Sequence, residues 1–342
     1  MKERSDLLAS ISKTICDYRS GAITPPTPEH VDRWIKQFDV GVQVPILKEM
    51  DFVLGKTYFS QQRVTAFLRG LLNTENLVGK DPCVFWKGVN FLDIQGGGNS
   101  QTEMLALFSA LLKEGCGFGI DKCGGGNAYV YLDDAIFTGN RVRRDIEKWI
   151  AEEAPEKTTI HVISIAQHSG GKHYAHGHIV DVVNSSRKSV EVKWWRAVEL
   201  EDRKAYTTTS DVLRPTSIPD VAEVHAYVQA MKYKPNLRIA GGVGANGLFS
   251  GEAGRGLLEQ EFLKAGVKIR GLCPHLGVTQ RPLGHMTLET LGFGSLIATF
   301  RNCPNNAPLA LWAGDPWYPL FPRTTNTETA VLRMFSDLTK GH

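Results

Sequence analysis

Apolar residues along the first 80 positions recur at the spacing of amphipathic helices. In VDRWIKQF, Trp34 and Phe38 fall on one helical face, and TAFLRGLL repeats the pattern from Phe67 to Leu71. The pattern therefore predicts a helical N-terminal extension over residues 1–80.

From Val84 onward, apolar runs alternate with segments of helical periodicity. The runs VFWKGVNFLDI, AYVYL and TIHVISIAQ have the composition of strands, and the intervening TEMLALFSALL and RVRRDIEKWI have the spacing of helices. This alternation predicts an α/β fold over residues 81–342, doubly wound around a mostly parallel sheet. Its second half is less regular, with SVEVKWW, LRIAGG, VKIRGL and GSLIATF as candidate strands and GRGLLEQEFLKAG as a candidate helix.

Composition narrows the classes of protein. The hydrophobic share of 42% and the charged share of 22% are those of an ordinary globular protein, and the net charge of +3 suits a phosphorylated substrate without the basic tract of a nucleic-acid binder. No segment resembles a signal peptide, and no apolar run is long enough to span a membrane. The 6 cysteines lack C-x-x-C spacing, so the sequence predicts reduced thiols in a cytoplasmic protein.

Two adjacent carboxylates, Asp133 and Asp134, follow the run AYVYL. A polymerase palm would need them in the turn of a β-hairpin, but a Thr-Gly turn and a helical pattern come next. A sugar phosphate fits this order better, because a short loop before a helix presents backbone N–H groups to an anion. Two carboxylates can also accept hydrogen bonds from vicinal hydroxyls. The stretch therefore predicts a site for a ribose phosphate.

The order of apolar strand, Asp-Asp, two spacers and Thr-Gly loop resembles the phosphoribosyl-pyrophosphate motif of type I phosphoribosyltransferases. FLDIQGGGNSQ, on the preceding strand–helix unit, is similar to their pyrophosphate loop. Phe137 stands where that motif commonly has a small or hydroxyl residue, and Arg141 where Thr or Ser often closes the loop. The stretch RPLGHMTLETLGFGSLIATFRNCPNNAPLALW, with DRWIKQF and GRGLLEQEFLKAGV, resembles divergent phosphoribosyltransferase-like proteins of bacterial conflict and phage-defence operons.

The resemblance covers nearly the whole chain and implies a magnesium-dependent phosphoribosyltransferase that acts on phosphoribosyl pyrophosphate or a nucleotide. Asp133 and Asp134 would bind the ribose hydroxyls and, largely through substrate and water, Mg²⁺. The 5-phosphate would be bound by Phe137, Thr138, Gly139, Asn140 and Arg141. The pyrophosphate would be bound by Gln95, Gly96, Gly97, Gly98 and Asn99. Residues 200–342 would form an elaborated hood, and a protein from the same operon would be a partner.

Further site residues are predicted from their positions in the pattern. Lys122 could reach the pyrophosphate across a loop, although a solvated lysine is an equal alternative. His168 directly follows the strand ISIAQ and is expected to line the site, while the other histidines of AQHSGGKHYAHGH are expected in a polar loop. Arg301, Asn302 and Asn305 follow the candidate strand GSLIATF, and are expected to close over the pocket.

Two other functions stay open. The protein could be a sensor of phosphoribosyl pyrophosphate or nucleotides that regulates a partner protein, or it could cleave the glycosidic bond of a nucleotide with water. The acceptor base, direct binding of nucleic acid and formation of a homodimer are left open as well.

Overall fold

The computed structural model describes residues 3–96, 100–203, 209–273 and 276–323. These residues form two compact units, one from the described parts of 1–60 and 201–342 and the other from those of 61–200. The units divide the chain at residues 60 and 200, whereas the sequence analysis placed a boundary at 80. Within the described ranges, no helix is both long and apolar enough to cross a membrane.

The N-terminal residues are helical, as their periodicity predicts. They form α1 (Arg4–Thr14), α2 (Pro28–Ile35), α3 (Val40–Thr57) and the short strand β1 (Tyr58–Phe59). The side chain of Thr27 accepts a hydrogen bond from the His30 N–H and caps α2, and Pro28 occupies the first helical position. Trp34 is fully buried and donates from Nε1 to the Ala310 carbonyl. This contact joins the N-terminal and C-terminal parts of the same unit.

The unit formed by 61–200 contains a four-stranded parallel sheet with the order β2–β3–β4–β5. Its elements are α4 (Gln61–Leu72), α5 (Glu75–Val78), α6 (Pro82–Gly88), β2 (Asn90–Leu92), α7 (Ser100–Cys116), β3 (Ala128–Ile136), α8 (Asn140–Glu152), β4 (Lys157–His168), α9 (Ser169–Ser185) and β5 (Ser189–Leu200). This is the α/β arrangement with a parallel sheet that the alternation of strands and helices predicts.

Helices cover both faces of this sheet. Leu92 packs in a buried cluster that includes Ile146 of α8 and residues of α9. Its neighbour Phe91 stacks on Trp86 of α6 and contacts Phe108 of α7. Because consecutive residues of a strand point to opposite faces, α8 and α9 lie on one side of the sheet and α6 and α7 on the other. The doubly wound fold class is therefore confirmed.

Three stretches of this unit differ from the sequence prediction. VFWKGVNFLDI is not a strand throughout, because Asp81 accepts a hydrogen bond from the Val84 N–H and caps helix α6, which leaves only β2 as strand. AQHSGGKHYAHGH is not a polar loop, because α9 begins at Ser169. Finally, β3 continues beyond AYVYL to Ile136 and so includes both aspartates.

The C-terminal part of the other unit contains α10 (Ala222–Gln229), α11 (Glu252–Leu272), β6 (Gln280–Arg281), β7 (Gly284–His285), β8 (Ala298–Thr299) and α12 (Leu309–Trp312). The predicted helix GRGLLEQEFLKAG is confirmed, but it continues through VKIRGL, which was wrongly predicted as a strand. Short apolar runs do not distinguish a buried helix from a strand. LRIAGG contains no strand, and GSLIATF contributes only β8, which pairs with β1 and not with the four-stranded sheet.

A buried ionic cluster stabilises this unit around α11. Glu259 accepts hydrogen bonds from Arg238 at 2.8 Å and from Arg255 at 2.9 Å, and all three side chains are almost completely buried. Glu252 is a second, more exposed partner of Arg238. Buried charges of this kind require their partners, since removing one leaves the other unpaired in a medium of low polarity.

The cysteines correct a prediction. Cys83 of α6 and Cys116 of α7 form a disulfide, so not all thiols are reduced. The two residues are 33 positions apart, and only the packing of the two helices brings them together. The free cysteines are Cys16, Cys123, Cys273 and Cys303.

Candidate ligand site at the carboxyl edge of the sheet

Asp133 is a buried carboxylate on the central strand β3, with only 5% of its surface exposed. Its Oδ1 accepts hydrogen bonds from Ser100 Oγ at 2.8 Å and from the Asp134 N–H at 2.8 Å. Its Oδ2 accepts one from Gln95 Nε2 at 3.0 Å. The carboxylate therefore connects β3 to the loop that follows β2 and to the first residue of α7.

Burial and the adjacent charge of Asp134 raise the pKa of Asp133 to about 7. The hydrogen bonds from Ser100 and from the Asp134 N–H, and the positive charge of Arg141, act in the opposite direction. A substantial fraction of this carboxyl group is consequently protonated at neutral pH.

Asp134 is in a different environment from Asp133. It is partly exposed, and as the next residue of the strand it points away from the side of Asp133. The two adjacent aspartates are thus not equivalent. Asp134 is the carboxylate that a ligand can reach, whereas the oxygens of Asp133 are already used by protein donors.

The loop between β3 and α8 is shaped by a backbone contact between two glycines. Gly139 caps α8 with φ +75°, and a Cβ there would overlap the Gly171 carbonyl oxygen. A Cβ on Gly171 would overlap the Phe137 carbonyl oxygen. Only glycine fits at these two positions, and the contact fixes the loop against the start of α9.

This loop leads directly into the first turn of α8. Phe137 is buried, Thr138 is partly exposed, and the Asn140 N–H donates to Thr138 Oγ1 at 3.4 Å. Arg141 is exposed on the first turn. A helix N-terminus has a partial positive charge and N–H groups aimed outward, so this end of α8 can bind an anion.

The loop after β2 is anchored by Gln101. The Oε1 of this buried side chain accepts hydrogen bonds from the Ile94 and Gln95 N–H groups at 2.8 and 2.9 Å. Gly96 is exposed. The predicted pyrophosphate-binding residues Gly97, Gly98 and Asn99 lie outside the described residues.

At the end of β4, His168 is engaged within its own chain segment. It is buried, and its Nδ1 accepts a hydrogen bond from the Gly171 N–H and caps α9. The histidine thus lies at the predicted edge of the sheet. The sequence analysis missed its neighbour Gln167, which is buried at the same edge and ends the mostly apolar run ISIAQ.

Tyr131 is a second residue of this region that the sequence analysis missed. Its hydroxyl donates to Asp145 Oδ2 on α8 at 2.8 Å and lies 3.5 Å from Gln95 Nε2. Burial and the nearby Asp133 raise the pKa of this phenol. Its position inside AYVYL resembles that of any core aromatic, so the pattern contains no signal for it.

Lys122 lies at the opposite edge of the sheet. It ends a 3₁₀ turn before β3, is exposed, and pairs with Asp121 at 3.6 Å. The segment that follows it is joined to the start of β2 by a hydrogen bond from the Gly125 N–H to Asn90 Oδ1. At about 3.3 Å per residue, Asp133 is roughly 17 Å further along β3 than its first residue. The structure thus places Lys122 at the other end of β3 from Asp133, and its role toward the pyrophosphate stays a prediction.

Arg301, Asn302 and Asn305 belong to the other compact unit. The Asn302 N–H donates to the Thr299 carbonyl at 3.2 Å, and the Asn305 carbonyl accepts from the His285 N–H at 2.7 Å. Their expected place over the pocket assumed that GSLIATF is a strand of the parallel sheet. Since β8 pairs with β1, that reasoning does not hold, and their role in the site stays a prediction.

The donor set at this edge is compatible with magnesium held mainly through a substrate. Among the described residues, no group of three or more His, Cys, Asp or Glu side chains could hold a metal ion. Mg²⁺ commonly binds through one or two carboxylates together with substrate phosphates and water. Asp134 supplies one accessible carboxylate of this kind.

Comparison with known proteins places most of this chain within one family model. The model of the PRTase-CE family matches residues 31–323. No curated protein and no solved structure matches the chain.

Proposed function

The chain belongs to the PRTase-CE family of phosphoribosyltransferase-like proteins, and on this premise we propose that it binds Mg²⁺–phosphoribosyl pyrophosphate or a nucleotide at the carboxyl edge of β2–β5. One observation carries the proposal. Near the end of β3, the accessible carboxylate of Asp134 is separated by two residues from the glycine-shaped loop that leads into the N-terminus of α8.

The phosphate end of the ligand is proposed to bind at residues 137–141. The contact between Gly139 and Gly171 fixes this loop, and α8 contributes its partial positive charge. Thr138 adds a hydroxyl donor and Arg141 a permanent positive charge, which suits phosphate well. The site thus combines backbone, hydroxyl and guanidinium donors.

The ribose is proposed to lie over β3, with its hydroxyls donating to Asp134. Asp133 acts mainly by positioning the protein, because it binds Gln95 and Ser100, the two residues that flank the pyrophosphate loop. Mg²⁺, held by Asp134 and substrate oxygens, would supply neutralisation of the charge on the departing pyrophosphate. The protein's own contribution is positioning and stabilisation of charge at C1 of the ribose.

The proposal is tested by calorimetry with phosphoribosyl pyrophosphate and Mg²⁺. Asp134→Asn is expected to weaken binding by about 100-fold, and Asp133→Asn with Asp134→Asn to abolish it, since charge-assisted hydrogen bonds are the strong ones. Glu152→Gln, at the far end of α8, should leave the affinity unchanged. Unchanged affinity in the double variant would overturn the proposal.

A catalytically weak sensor is the second candidate. The engagement of Asp133 by Gln95 and Ser100 favours it, because fewer free groups then remain to act on the reacting ligand. Pyrophosphate release across a panel of bases distinguishes the two functions. Release supports the transferase, and tight binding without release in any mixture supports the sensor. Free base formed from a nucleotide without added pyrophosphate would instead support glycosidic cleavage.

We place this activity in bacterial defence, with a protein of the same operon as partner. The support is the resemblance of the C-terminal stretch to proteins of conflict operons. Cells with the intact operon should resist phage, and the Asp134→Asn variant should plate phage as efficiently as cells without the operon. Equal protection by the variant would contradict a ligand-dependent defence role.

A further inference from the structure

Gln167 is a buried amide without a hydrogen-bond partner. The residue is 1% exposed, and neither its Nε2 nor its Oε1 has a partner in the part of the chain that the structure describes. Buried side-chain amides almost always have partners, because leaving them unpaired is costly. An amide in this state indicates a partner that the described residues do not supply.

The position of Gln167 connects it to the candidate site. It is the residue before the last of β4, and its Cα partner on the neighbouring strand is Ile136, the last residue of β3. Ile136 directly precedes the loop proposed to bind phosphate. Adjacent strands lie about 4.8 Å apart, so Gln167 lies about one strand spacing from that loop, in the direction of β4.

The order of the sheet then indicates which part of a ligand would approach Gln167. The loop after β2 lies on one side of β3, and β4 lies on the other. If the pyrophosphate is held on the β2 side, an in-line substitution at C1 of the ribose brings the attacking group from the opposite side. That side is the β4 side, where Gln167 is the residue before the last of its strand.

We propose that Gln167 is a specificity-determining residue that binds the base of the acceptor or nucleotide. Its Nε2 donates and its Oε1 accepts, which matches a nucleobase edge with an acceptor next to a donor. The inference rests on the proposed function and deepens it, because it names a nucleobase as the group bound on the β4 side.

The experiment compares Gln167→Met, which keeps the size of the side chain and removes the amide, with the wild-type protein. The probes are AMP, GMP, CMP and UMP, with ribose 5-phosphate as the ligand that lacks a base. The wild type should bind at least one nucleotide more tightly than ribose 5-phosphate. Gln167→Met should reduce this preference by at least about 10-fold, as loss of a two-point base contact does, and leave the ribose 5-phosphate affinity unchanged.

Two further variants serve as a control and as a substitute for Gln167→Met. Ser164→Ala removes a buried hydroxyl of β4 that also has no hydrogen-bond partner in the described residues, but that lies next to Asp133 rather than at the strand end. It should not alter the preference for nucleotides. Gln167→Asn keeps the amide but shortens its reach, and is used in place of the Met variant if that variant fails to fold; it should also lose the preference.

The outcomes separate this inference from the proposed function. A wild type that binds nucleotides no more tightly than ribose 5-phosphate overturns the role of Gln167 and leaves the proposed function standing. So does a substitution at Gln167 that changes all affinities equally or none. A wild type that binds phosphoribosyl pyrophosphate with Mg²⁺ but none of these probes overturns the inference alone. One that binds neither overturns the proposed function, and the inference with it.

Discussion

Ser100 Oγ lies 2.8 Å from Asp133 Oδ1, so the first residue of α7 is bonded to the buried carboxylate of the neighbouring strand β3. Gln95 Nε2 donates to the other oxygen of the same carboxylate. The beginning and the end of the glycine loop at 95–100 are therefore held by one side chain. Gln95 and Ser100 are thus both joined to Asp133, although 33 positions or more separate each of them from it along the chain.

Ser100→Ala should destabilise the protein measurably. At pH 8 the loss of a hydrogen bond to a charged, buried carboxylate should lower the free energy of unfolding by about 1–3 kcal/mol in urea denaturation. Thr102→Ala is the matched control, since its hydroxyl contacts the exposed Asp93 at 3.3 Å. The control should change stability by no more than about 0.5 kcal/mol. Equal effects of the two substitutions would show that the Ser100 contact contributes nothing specific.

The raised pKa of Asp133 should make stability depend on pH in a defined direction. Between pH 4 and pH 7 the folded protein binds a proton that the unfolded chain, with an aspartate pKa of 3.8, releases. Stability from this group is therefore fully present below pH 4 and is lost as the pH rises through about 7. Relative to Asp133→Asn, the wild type should lose on the order of a few kcal/mol over this window. The measurement is the free energy of unfolding of both proteins by urea denaturation at several pH values. A difference between the two proteins that stays constant from pH 4.5 to pH 8.5 would contradict this pH dependence.

The sheet of residues 90–200 could be predicted because its strands and helices have distinct periods. TIHVISIAQ and RVRRDIEKWI contain enough residues for the two patterns to be separated, and both were placed correctly as β4 and α8. VKIRGL was wrongly predicted as a strand, because a segment of six residues with three apolar positions is too short to distinguish a strand from part of helix α11. At VFWKG the Asp81 side chain caps a helix, so this apolar run belongs to α6 and not to a strand.

The candidate site was predictable only as a position in the chain. Adjacent aspartates before a Thr-Gly loop point to a ligand, but sequence does not show that Asp133 is buried by Ser100 and Gln95 while Asp134 stays accessible. Gln167 was missed for a related reason. Its lack of a partner is a property of three-dimensional packing, and a single glutamine after an apolar run has no distinguishing pattern.

Gly171→Ala should disrupt the loop that precedes α8. A methyl group there would overlap the Phe137 carbonyl oxygen, and neither backbone can move without shifting a strand end. We expect a loss of about 3 kcal/mol or more, in the upper range for single substitutions. Gly177→Ala in the same helix meets nothing within 4 Å and should instead stabilise by about 0.5–1 kcal/mol, because alanine favours helix. Thermal and urea denaturation of both variants measure this contrast, and a tolerated Gly171→Ala would refute the close contact between the loop and the first turn of α9.

The disulfide between Cys83 and Cys116 should contribute to stability in the oxidised protein. It closes a segment of 33 positions, for which loop closure in the unfolded chain corresponds to about 2–4 kcal/mol. Dithiothreitol should lower the free energy of unfolding of the wild type by this amount and leave a Cys83→Ser, Cys116→Ser variant unaffected. Cys16→Ser, which removes a free thiol, should respond to the reductant as the wild type does. Six titratable thiols in the unreduced, denatured wild type would show that the bond does not form.

Glu259→Gln should be among the most destabilising substitutions in the unit that contains α11. The change keeps the shape of the side chain but removes the negative charge shared by Arg238 and Arg255, which are both buried. Breaking a buried ion pair from one side costs about 3–5 kcal/mol, because the remaining charges stay desolvated. Glu252→Gln is the matched control, since this second partner of Arg238 is 37% exposed and Glu259 remains in place. Its effect should be about 1 kcal/mol or less in the same urea denaturation. Both glutamates bind the guanidinium group of Arg238. Comparable losses of stability in the two variants would therefore mean that the burial of Glu259 adds nothing to the stability of this unit.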